Sequence, residues 1–325
     1  MFKKLGKTLV ITALSVGVSM GFMLQANAMV GGKPVIGISW KSNSQDYSAI
    51  KRIIELAGGV PVELSQIKSN DVKYDADGKV ATSDIEKSGM LKTKQANAIK
   101  AQLLDHTNAA AVMQGVDGIF CTGGEDISPS LYKVPEKEKN HGEEINAARD
   151  VSDYTLLAYA LKNDIPILAV CRNEQMMGIL YGAKFIQDIP DYYKAHNKAY
   201  DDLHRMPPGT PNRDYARHDV HILPVKSHLR EIVGSNELKN ISSWHHQALE
   251  DISGTTLLQT AETTDNGISI IEAIEDPSKK FCVALQFHPE NDLRHVLVEK
   301  DDAKDYCDTT ICMNFFKALM KAATK

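Results

Sequence analysis

Short, continuous apolar runs alternate along this chain with segments that show helical periodicity. Val35–Ile38, Gly118–Cys121 and Pro166–Val170 are three such runs. Strands without polar alternation are typical of a parallel sheet whose two faces are both covered by helices. The sequence therefore predicts an α/β fold, a single three-layer domain with a central, mostly parallel sheet.

The segments between these runs are predicted to be helices, and the second half of the chain adds further strands. Apolar residues recur at helical spacing over Ala49–Ala57, Thr93–Met113 and Ala147–Lys162. The later predicted strands are Asp219–Ile222 and Ile268–Ala273, which alternate in polarity, and Phe281–Phe287, which is continuously apolar. This mixture predicts that the sheet is not parallel throughout.

The first 28 residues have the pattern of an export signal. Three lysines precede an apolar run from Leu9 to Leu24, and Ala26–Ala28 has the small-x-small pattern of a cleavage site. An uncleaved membrane anchor is the alternative, because the run is just long enough to insert. We expect a signal peptide over residues 1–28 and one domain over 29–325, exported to a periplasmic or secreted location and free of the membrane after cleavage.

Charge and cysteine content exclude several classes of protein. Beyond residue 28 the chain carries 34 basic and 42 acidic side chains, so it is a poor partner for nucleic acid. Its five cysteines include no C-x-x-C pair, which argues against zinc ribbons and thioredoxin-like chemistry. Cys307 and Cys312 are close enough in sequence to form a disulfide, or they are two half-buried thiols.

Two long polar stretches interrupt the alternation of strands and helices. Residues 67–89 and 188–217 have no clear periodicity, and loops of this length are functional covers or solvated surface segments. A solvated surface loop is favoured for the first stretch, and both interpretations stay open for the second. His218 and His221 lie three apart in a predicted strand and so face opposite sides of it, which argues against a shared metal. No metal site is predicted.

Candidate catalytic residues follow two of the apolar strands. Cys171 comes directly after Pro166–Val170 and before a predicted helix that runs from Arg172 to Tyr181. Open α/β sheets place their sites at this edge, and a helix N-terminus stabilises a thiolate and offers backbone N–H groups to an oxyanion. This is the cysteine form of a nucleophile elbow. His288 and Glu290, just after another strand, could supply the proton acceptor and the group that orients it.

Six motifs, in order along the chain, resemble those of the class I glutamine amidotransferase-like hydrolases, a flavodoxin-like fold family. The match is to the gamma-glutamyl-gamma-aminobutyrate hydrolase branch of the cysteine peptidases and runs from about Pro34 to Arg294. The motifs are Pro34–Ile38 with Ala57–Val62, Gly123–Tyr132, Cys171–Gln175, Gln187–Ile189, Ser243–Gln247 and Phe287–Glu290.

The resemblance implies a role for each matching residue. It makes Cys171 the nucleophile, His288 the acid and base, and Glu290 the residue that orients His288. Backbone N–H groups of Gly124 and Arg172 would form the oxyanion hole. The substrate-binding residues it implies are Gly123, Gln175, His246 and Gln247. The implied activity is hydrolysis of a small gamma-glutamyl amide or peptide through a gamma-glutamyl thioester, with no metal or organic cofactor and with a homodimer as a possible assembly.

Three positions depart from the family pattern. Ala169 and Asn173 stand where the family places glycines on either side of the nucleophile, and Asp153 stands where it has a glutamate. We expect Asn173 to narrow the oxyanion pocket. Asn173 and the long stretch 188–217 keep open the alternative of a catalytically weak protein that binds gamma-glutamyl ligands. The glutaminase subunit of an amidotransferase is a second alternative, and the export signal argues against it.

Overall fold

The computed structural model describes residues 32–41, 45–132, 145–207, 210 and 216–324. The predicted signal peptide lies outside these ranges. The strands are β1 (Val35–Ile38), β2 (Val60–Glu63), β3 (Gly118–Cys121), β4 (Ile167–Val170), β5 (Lys184–Ile186), β6 (Ala216–Ile222), β7 (Glu237–Ser243), β8 (Ala248–Asp251), β9 (Leu258–Asp265), β10 (Ile268–Glu275) and β11 (Cys282–Leu285).

Helices connect most of these strands. They are α1 (Gln45–Leu56), α2 (Thr93–Lys100), α3 (Ala109–Val112), α4 (Ala147–Lys162), α5 (Arg172–Leu180), α6 (Ile189–Ala195), α7 (His228–Val233), α8 (Pro289–Leu293) and α9 (Thr309–Ala323). Short 3₁₀ turns lie at Leu104–His106, Pro129–Leu131 and Ala303–Asp305, and a π-helical turn at Arg294–Glu299 follows α8.

The main sheet has nine strands in the order β2-β1-β3-β4-β11-β10-β9-β6-β7. The first five are parallel to one another, and the last four are joined to them and to each other by antiparallel pairing. A separate two-stranded sheet pairs β5 with β8. The predicted α/β fold with a single central sheet is therefore confirmed.

Both faces of the parallel half are covered, as the continuous apolar runs predict. Every residue of β1, β3, β4 and β11 is buried. One core cluster joins one face of the sheet to α2, α4 and α5, and the other joins the opposite face to α1, α7 and α9. The sheet and these two helical layers make the three layers, with the carboxyl ends of the parallel strands at one edge.

The single helix predicted over Thr93–Met113 is wrong. Its first part is α2 and its last part is α3, with a 3₁₀ turn between them. Gln102 has a φ of 52°, a left-handed conformation that no α-helix can include. The apolar residues keep a helical spacing on both sides of this break, which is why periodicity alone does not reveal it.

The stretch 67–89 packs into the protein, so its interpretation as a solvated surface loop is also wrong. Ile67, Val72 and Val80 are buried in the same core cluster as α4. Isolated backbone bridges pair Tyr74 with Val80 and hold the segment in a compact shape. A few apolar residues among many polar ones are enough to anchor it, because each adds buried apolar area.

The second stretch, 188–217, contains α6 and a buried His204, and part of it lies outside the described residues.

All five cysteines are buried and free, so Cys307 and Cys312 are two fully buried thiols rather than a disulfide. Within the described ranges, none of the helices combines the length and the apolar character that crossing a bilayer requires.

Candidate active site

Cys171 lies on a sharp turn between β4 and α5. Its φ of 49° and ψ of −111° are rare for a residue that has a Cβ, and such strain persists where the surrounding structure enforces it. A short hydrogen bond from its backbone N–H to the Leu285 carbonyl, 2.7 Å long, fixes the turn against β11. The side chain lines a cleft of about 480 Å³ and lies 3.6 Å from the Trp244 carbonyl oxygen.

His288 and Glu290 lie on the same side of this cleft, after β11. Nδ1 of His288 is 2.6 Å from Oε1 of Glu290, and both side chains are largely buried. Burial alone would lower the pKa of His288, but the Glu290 carboxylate and Cys171 outweigh it and raise that pKa well above the ordinary value. Since Nδ1 is engaged by Glu290, Nε2 is the ring nitrogen left to face Cys171. This arrangement favours the protonated imidazolium form of His288 beside Cys171.

A glycine loop, residues 122–126, runs past these side chains. A Cβ on Gly123 would lie 2.8 Å from Cε1 of His288 and 3.3 Å from Cβ of Cys171, and a Cβ on Gly124 would overlap the Arg149 guanidinium. The loop therefore approaches the cleft with backbone alone. Arg172 is the first residue of α5, so its N–H has no acceptor within the helix.

Two buried guanidinium groups hold the glycine loop in place. Arg149 donates to the Gly123 carbonyl at 2.5 Å, and Arg172 donates to the Glu125 carbonyl at 2.5 Å. Oδ2 of Asp153 accepts a hydrogen bond from Nε of each arginine at 3.1 Å. Arginine suits this task because its five donors are fixed in one plane. We call Arg149, Arg172 and Asp153 the loop clamp. The sequence analysis assigned no structural role to these side chains, although the spacing of Arg149 and Asp153 on one face of α4 is a signal for an ion pair.

Asn173 does not narrow the pocket, so that expectation is wrong. Its side chain is fully buried and lies outside the cleft lining. Nδ2 donates to the Thr122 carbonyl at 2.7 Å and to Oδ2 of Asp153 at 3.2 Å. Asn173 thus adds a third donor to the set that fixes the glycine loop, and Ala169 is likewise accommodated within β4.

The two candidate glutamines meet across the cleft wall. Nε2 of Gln175 donates to the Gln247 carbonyl and to Oε1 of Gln286, both at 3.0 Å, so this nitrogen is committed to holding the wall. Nε2 of Gln247 donates to the Gln187 carbonyl at 3.1 Å, while its Oε1 is buried without a hydrogen bond among the described residues. That oxygen therefore has the capacity to accept a further hydrogen bond.

His246 bridges two carboxylates at the rim of the cleft. Its Nδ1 is 3.0 Å from Oδ2 of Asp188 and its Nε2 is 3.1 Å from Oδ1 of Asp126. Burial lowers the pKa of His246 and Arg205 lowers it further, but the two carboxylates outweigh both and raise it to about 9. Since both ring nitrogens face carboxylates, both carry protons. His246 therefore fastens the glycine loop to the start of α6.

The free energy of unfolding should depend on pH through His246. A histidine whose pKa rises from 6.5 to about 9 on folding contributes stability that is complete below pH 6.5 and lost as the pH rises through 9. The shift corresponds to at most about 3 kcal/mol. We expect the stability difference between wild type and His246→Gln to shrink by roughly 2–3 kcal/mol between about pH 6 and about pH 10 in urea unfolding. His196→Gln, at an exposed histidine that contacts a backbone carbonyl, is the control. A difference that stays constant with pH would contradict the role of His246.

Replacing Gly123 by alanine should misplace His288 without unfolding the protein. The added Cβ would push against Cε1 of His288 at 2.8 Å, and a misplacement of this kind costs on the order of 10²-fold in kcat. Gly182→Ala is the control, because that glycine has a φ of +82° and open space around it. The control should lower the unfolding temperature and keep the turnover rate. Equal rates for wild type and Gly123→Ala would show that the loop can move away from the imidazole.

The structure brings the candidate residues of four motifs together around one cleft. The lining includes all four substrate-binding candidates, the catalytic candidates and Gly124. Arg172 itself is buried behind it, so only its backbone is placed to act there. Within the described part of the chain, His245 is the one lining residue that belongs to a group of side chains able to hold a metal ion.

The chain is similar in sequence to a family of peptidases and to several bacterial proteins, and similar in fold to solved structures. The sequence model of the peptidase C26 family matches residues 59–290. Protein NtpR of Enterococcus hirae is 35% identical over 182 residues, which span 56% of this chain and 70% of that protein. A glutamine amidotransferase-like protein of Rickettsia prowazekii is 29% identical over 248 residues, which span 65% of this chain and 79% of that protein. Among solved structures, the Trypanosoma brucei CTPS glutaminase domain with bound acivicin aligns with a TM-score of 0.48 at 19% identity, over 89% of this chain and 93% of that chain.

Proposed function

The chain belongs to the peptidase C26 family of cysteine hydrolases of the glutamine amidotransferase-like kind, and we propose that it hydrolyses gamma-glutamyl amide bonds through a thioester on Cys171. The observation that carries this proposal is the shared cleft in which Cys171, His288 and Glu290 lie beside the glycine loop. A nucleophile, a base oriented by a carboxylate, and backbone donors nearby are the parts that acyl transfer requires.

The proposed reaction begins with the thiolate of Cys171. It attacks the gamma-carbonyl carbon, and the oxyanion is stabilised by the backbone N–H groups of Gly124 and Arg172. His288 donates its Nε2 proton to the leaving amine as the carbon–nitrogen bond breaks, which leaves a gamma-glutamyl thioester. His288 then takes a proton from water, the resulting hydroxide attacks the thioester, and glutamate leaves as the thiolate forms again.

The cleft offers complementary groups for the glutamyl end of the substrate. Oε1 of Gln247 is a buried acceptor for an α-ammonium group. Arg205 lines the same cleft with its guanidinium 5.9 Å from the Trp244 ring, and supplies a positive charge for an α-carboxylate. The cleft volume of about 480 Å³ suits a small ligand. We therefore assign gamma-glutamyl compounds of dipeptide size as the substrate class.

The alternative of a catalytically weak binding protein loses its main argument. It depended on Asn173 obstructing the oxyanion pocket, and this side chain is turned into the loop clamp instead. Export from the cell and assembly as a homodimer remain proposals that depend on the N-terminal sequence pattern and on the family resemblance.

Release of glutamate from matched pairs of gamma-linked and alpha-linked glutamyl compounds tests the proposal. The panel contains gamma-glutamyl-gamma-aminobutyrate, gamma-glutamyl dipeptides and their alpha-linked isomers, with Cys171→Ala as the background. We expect release from gamma-linked members alone, together with a mass increase on Cys171 of one glutamyl group when the reaction is quenched early. Release from neither class, or release that Cys171→Ala retains, would overturn the proposal.

A further inference from the structure

Four buried residues converge behind the cleft wall. His204 comes from the segment after α6, His218 from β6, His245 from the turn between β7 and β8, and Glu272 from β10. One nitrogen or oxygen atom from each lies within 4.8 Å of the corresponding atoms of the other three. Oε1 of Glu272 is 3.2 Å from Nδ1 of His204, 3.6 Å from Nε2 of His218 and 4.0 Å from Nε2 of His245. We call these residues the His₃Glu cluster.

The converging atoms lack hydrogen bonds of ordinary geometry. Within the part of the chain that is described, this holds for both ring nitrogens of His204, Nε2 of His218, Nε2 of His245 and both oxygens of Glu272. Buried polar atoms in native proteins nearly always have a partner, and each exception needs an explanation. Six such atoms in one place point to a group that binds between them.

The tautomers of two histidines point their lone pairs at the centre. Nδ1 of His245 is 2.8 Å from the Gln247 carbonyl oxygen, which accepts only, so this Nδ1 carries the proton and Nε2 is left as a bare acceptor. Nδ1 of His218 lies 3.2 Å from the Asp219 carbonyl oxygen and 3.1 Å from the Thr263 hydroxyl. Because that hydroxyl donates to the Asp219 carbonyl at 3.0 Å, its oxygen accepts from Nδ1, and Nε2 of His218 is likewise left as a bare acceptor. Metal-binding histidines have this arrangement, with the distant nitrogen donating to a carbonyl.

Protons on these four side chains cannot give every converging atom a hydrogen-bond partner. A proton on Nδ1 of His204 or on Glu272 satisfies one contact between them. The Nε2 lone pairs of His218 and His245 still face the carboxylate without a donor. A cation placed between the four residues satisfies all of them at once.

We propose that the His₃Glu cluster binds one divalent transition-metal ion of the zinc type through three imidazoles and the Glu272 carboxylate. Metal–ligand bonds of about 2.0–2.1 Å place tetrahedral ligand atoms roughly 3.4 Å apart. The three distances from Glu272 are 3.2–4.0 Å, so the imidazoles need to close in only slightly. Four protein ligands complete a tetrahedral zinc site, which is the pattern of a structural ion rather than a catalytic one.

The ion would tie the segment after α6, which carries His204, to the turn between β7 and β8, which carries His245. The His204 carbonyl accepts hydrogen bonds from the backbone N–H of His245 at 2.9 Å and from the Ser243 hydroxyl at 3.1 Å. Next to these residues, Arg205 and Trp244 line the cleft. An ion held by His204 and His245 therefore fixes the two segments that form this side of the site. The proposal is independent of the proposed reaction, because none of the four ligands is a catalytic candidate and three of them lie outside the cleft lining.

Cobalt substitution of the untagged full-length protein tests the site. The protein is stripped with a chelator, titrated with Co²⁺ and then with Zn²⁺, and its metal content is measured by mass spectrometry. We expect visible absorption of four-coordinate cobalt that saturates at one ion per chain and is abolished by zinc. Zn²⁺ should also raise the unfolding temperature, since an ion that binds the native state stabilises it.

Variants assign the ion to the cluster. His218→Ala should weaken binding by at least about 10-fold and remove the cobalt spectrum, whereas His221→Ala, on the exposed face of the same strand, should change neither. Glu272→Gln keeps the size of the side chain and should also lose the spectrum, which keeps the test decisive if His218→Ala does not fold. Absence of cobalt bands and of a zinc-induced temperature shift in wild type would overturn the proposal. So would binding that survives in both cluster variants, because the ion would then lie elsewhere, for example at His295, Glu299 and Asp301.

Discussion

Replacement of Cys171 by alanine is expected to reduce kcat for glutamate release by at least about 10⁴-fold, the scale seen when an acyl-transfer nucleophile is removed. The thiol is the group that forms the thioester, and no other cysteine lines the cleft in the part of the chain that is described. Alanine keeps the Cβ that the strained turn already accommodates, so the fold and the binding of substrate should survive. Binding by calorimetry and release of glutamate, measured on the same preparation, separate the two effects.

Cys121→Ala is the matched control for this substitution. It removes a fully buried thiol from β3, away from the cleft lining. The control should lose some stability through the small cavity and keep its turnover. If Cys171→Ala retained more than about a tenth of the wild-type rate, Cys171 would not be the nucleophile, because its removal should cost orders of magnitude.

Replacing Glu290 by glutamine should reduce kcat by about 10²–10⁴-fold, because an amide can fix the wrong tautomer of His288. The carboxylate is 2.6 Å from Nδ1 and is a main cause of the raised pKa of His288. Its loss lowers that pKa, so the imidazolium that protonates the leaving amine is lost at lower pH. The alkaline limb of the kcat profile should therefore move to lower pH in Glu290→Gln.

Asp71→Asn serves as the control for this change. Asp71 pairs with His106 at 3.0 Å on the surface, so the substitution removes a carboxylate from a histidine without touching the cleft. Its pH profile should match that of wild type. A Glu290→Gln profile that keeps its alkaline limb in place, whatever its height, would rule out Glu290 as the residue that controls the protonation of His288.

The parts of this molecule that the sequence predicts well are those governed by local patterns. Continuous apolar runs predict β1, β3 and β4 because such strands need cover on both faces. A cysteine at the end of one run predicts the turn at Cys171, since carboxyl ends of parallel strands meet at one edge. The break at Gln102 was missed because a left-handed residue leaves the apolar spacing on either side unchanged.

Features assembled from distant segments are not visible in the sequence alone. The loop clamp, together with Asn173, joins side chains from two helices to backbone carbonyl groups 26 to 51 positions away. The His₃Glu cluster takes each member from a different segment. His218 and His221 indeed lie on opposite faces of β6, as their spacing predicts, but that spacing carries no information about which distant residues meet His218.

Asn173 and Asp153 touch each other, and this contact changes the meaning of two departures from the family pattern. Asn173 on α5, which is larger than the glycine of the pattern, donates at 3.2 Å to Asp153 on α4, which is shorter than the glutamate of the pattern, and it also donates to the Thr122 carbonyl. The two positions are thus epistatic. Restoring Gly at 173 alone would leave a void and remove the shorter of the two hydrogen bonds to the Thr122 carbonyl, and restoring Glu at 153 alone would crowd the amide. Because the two side chains are in contact, we expect exchanging both residues together to cost less free energy of unfolding than the sum of the two single exchanges.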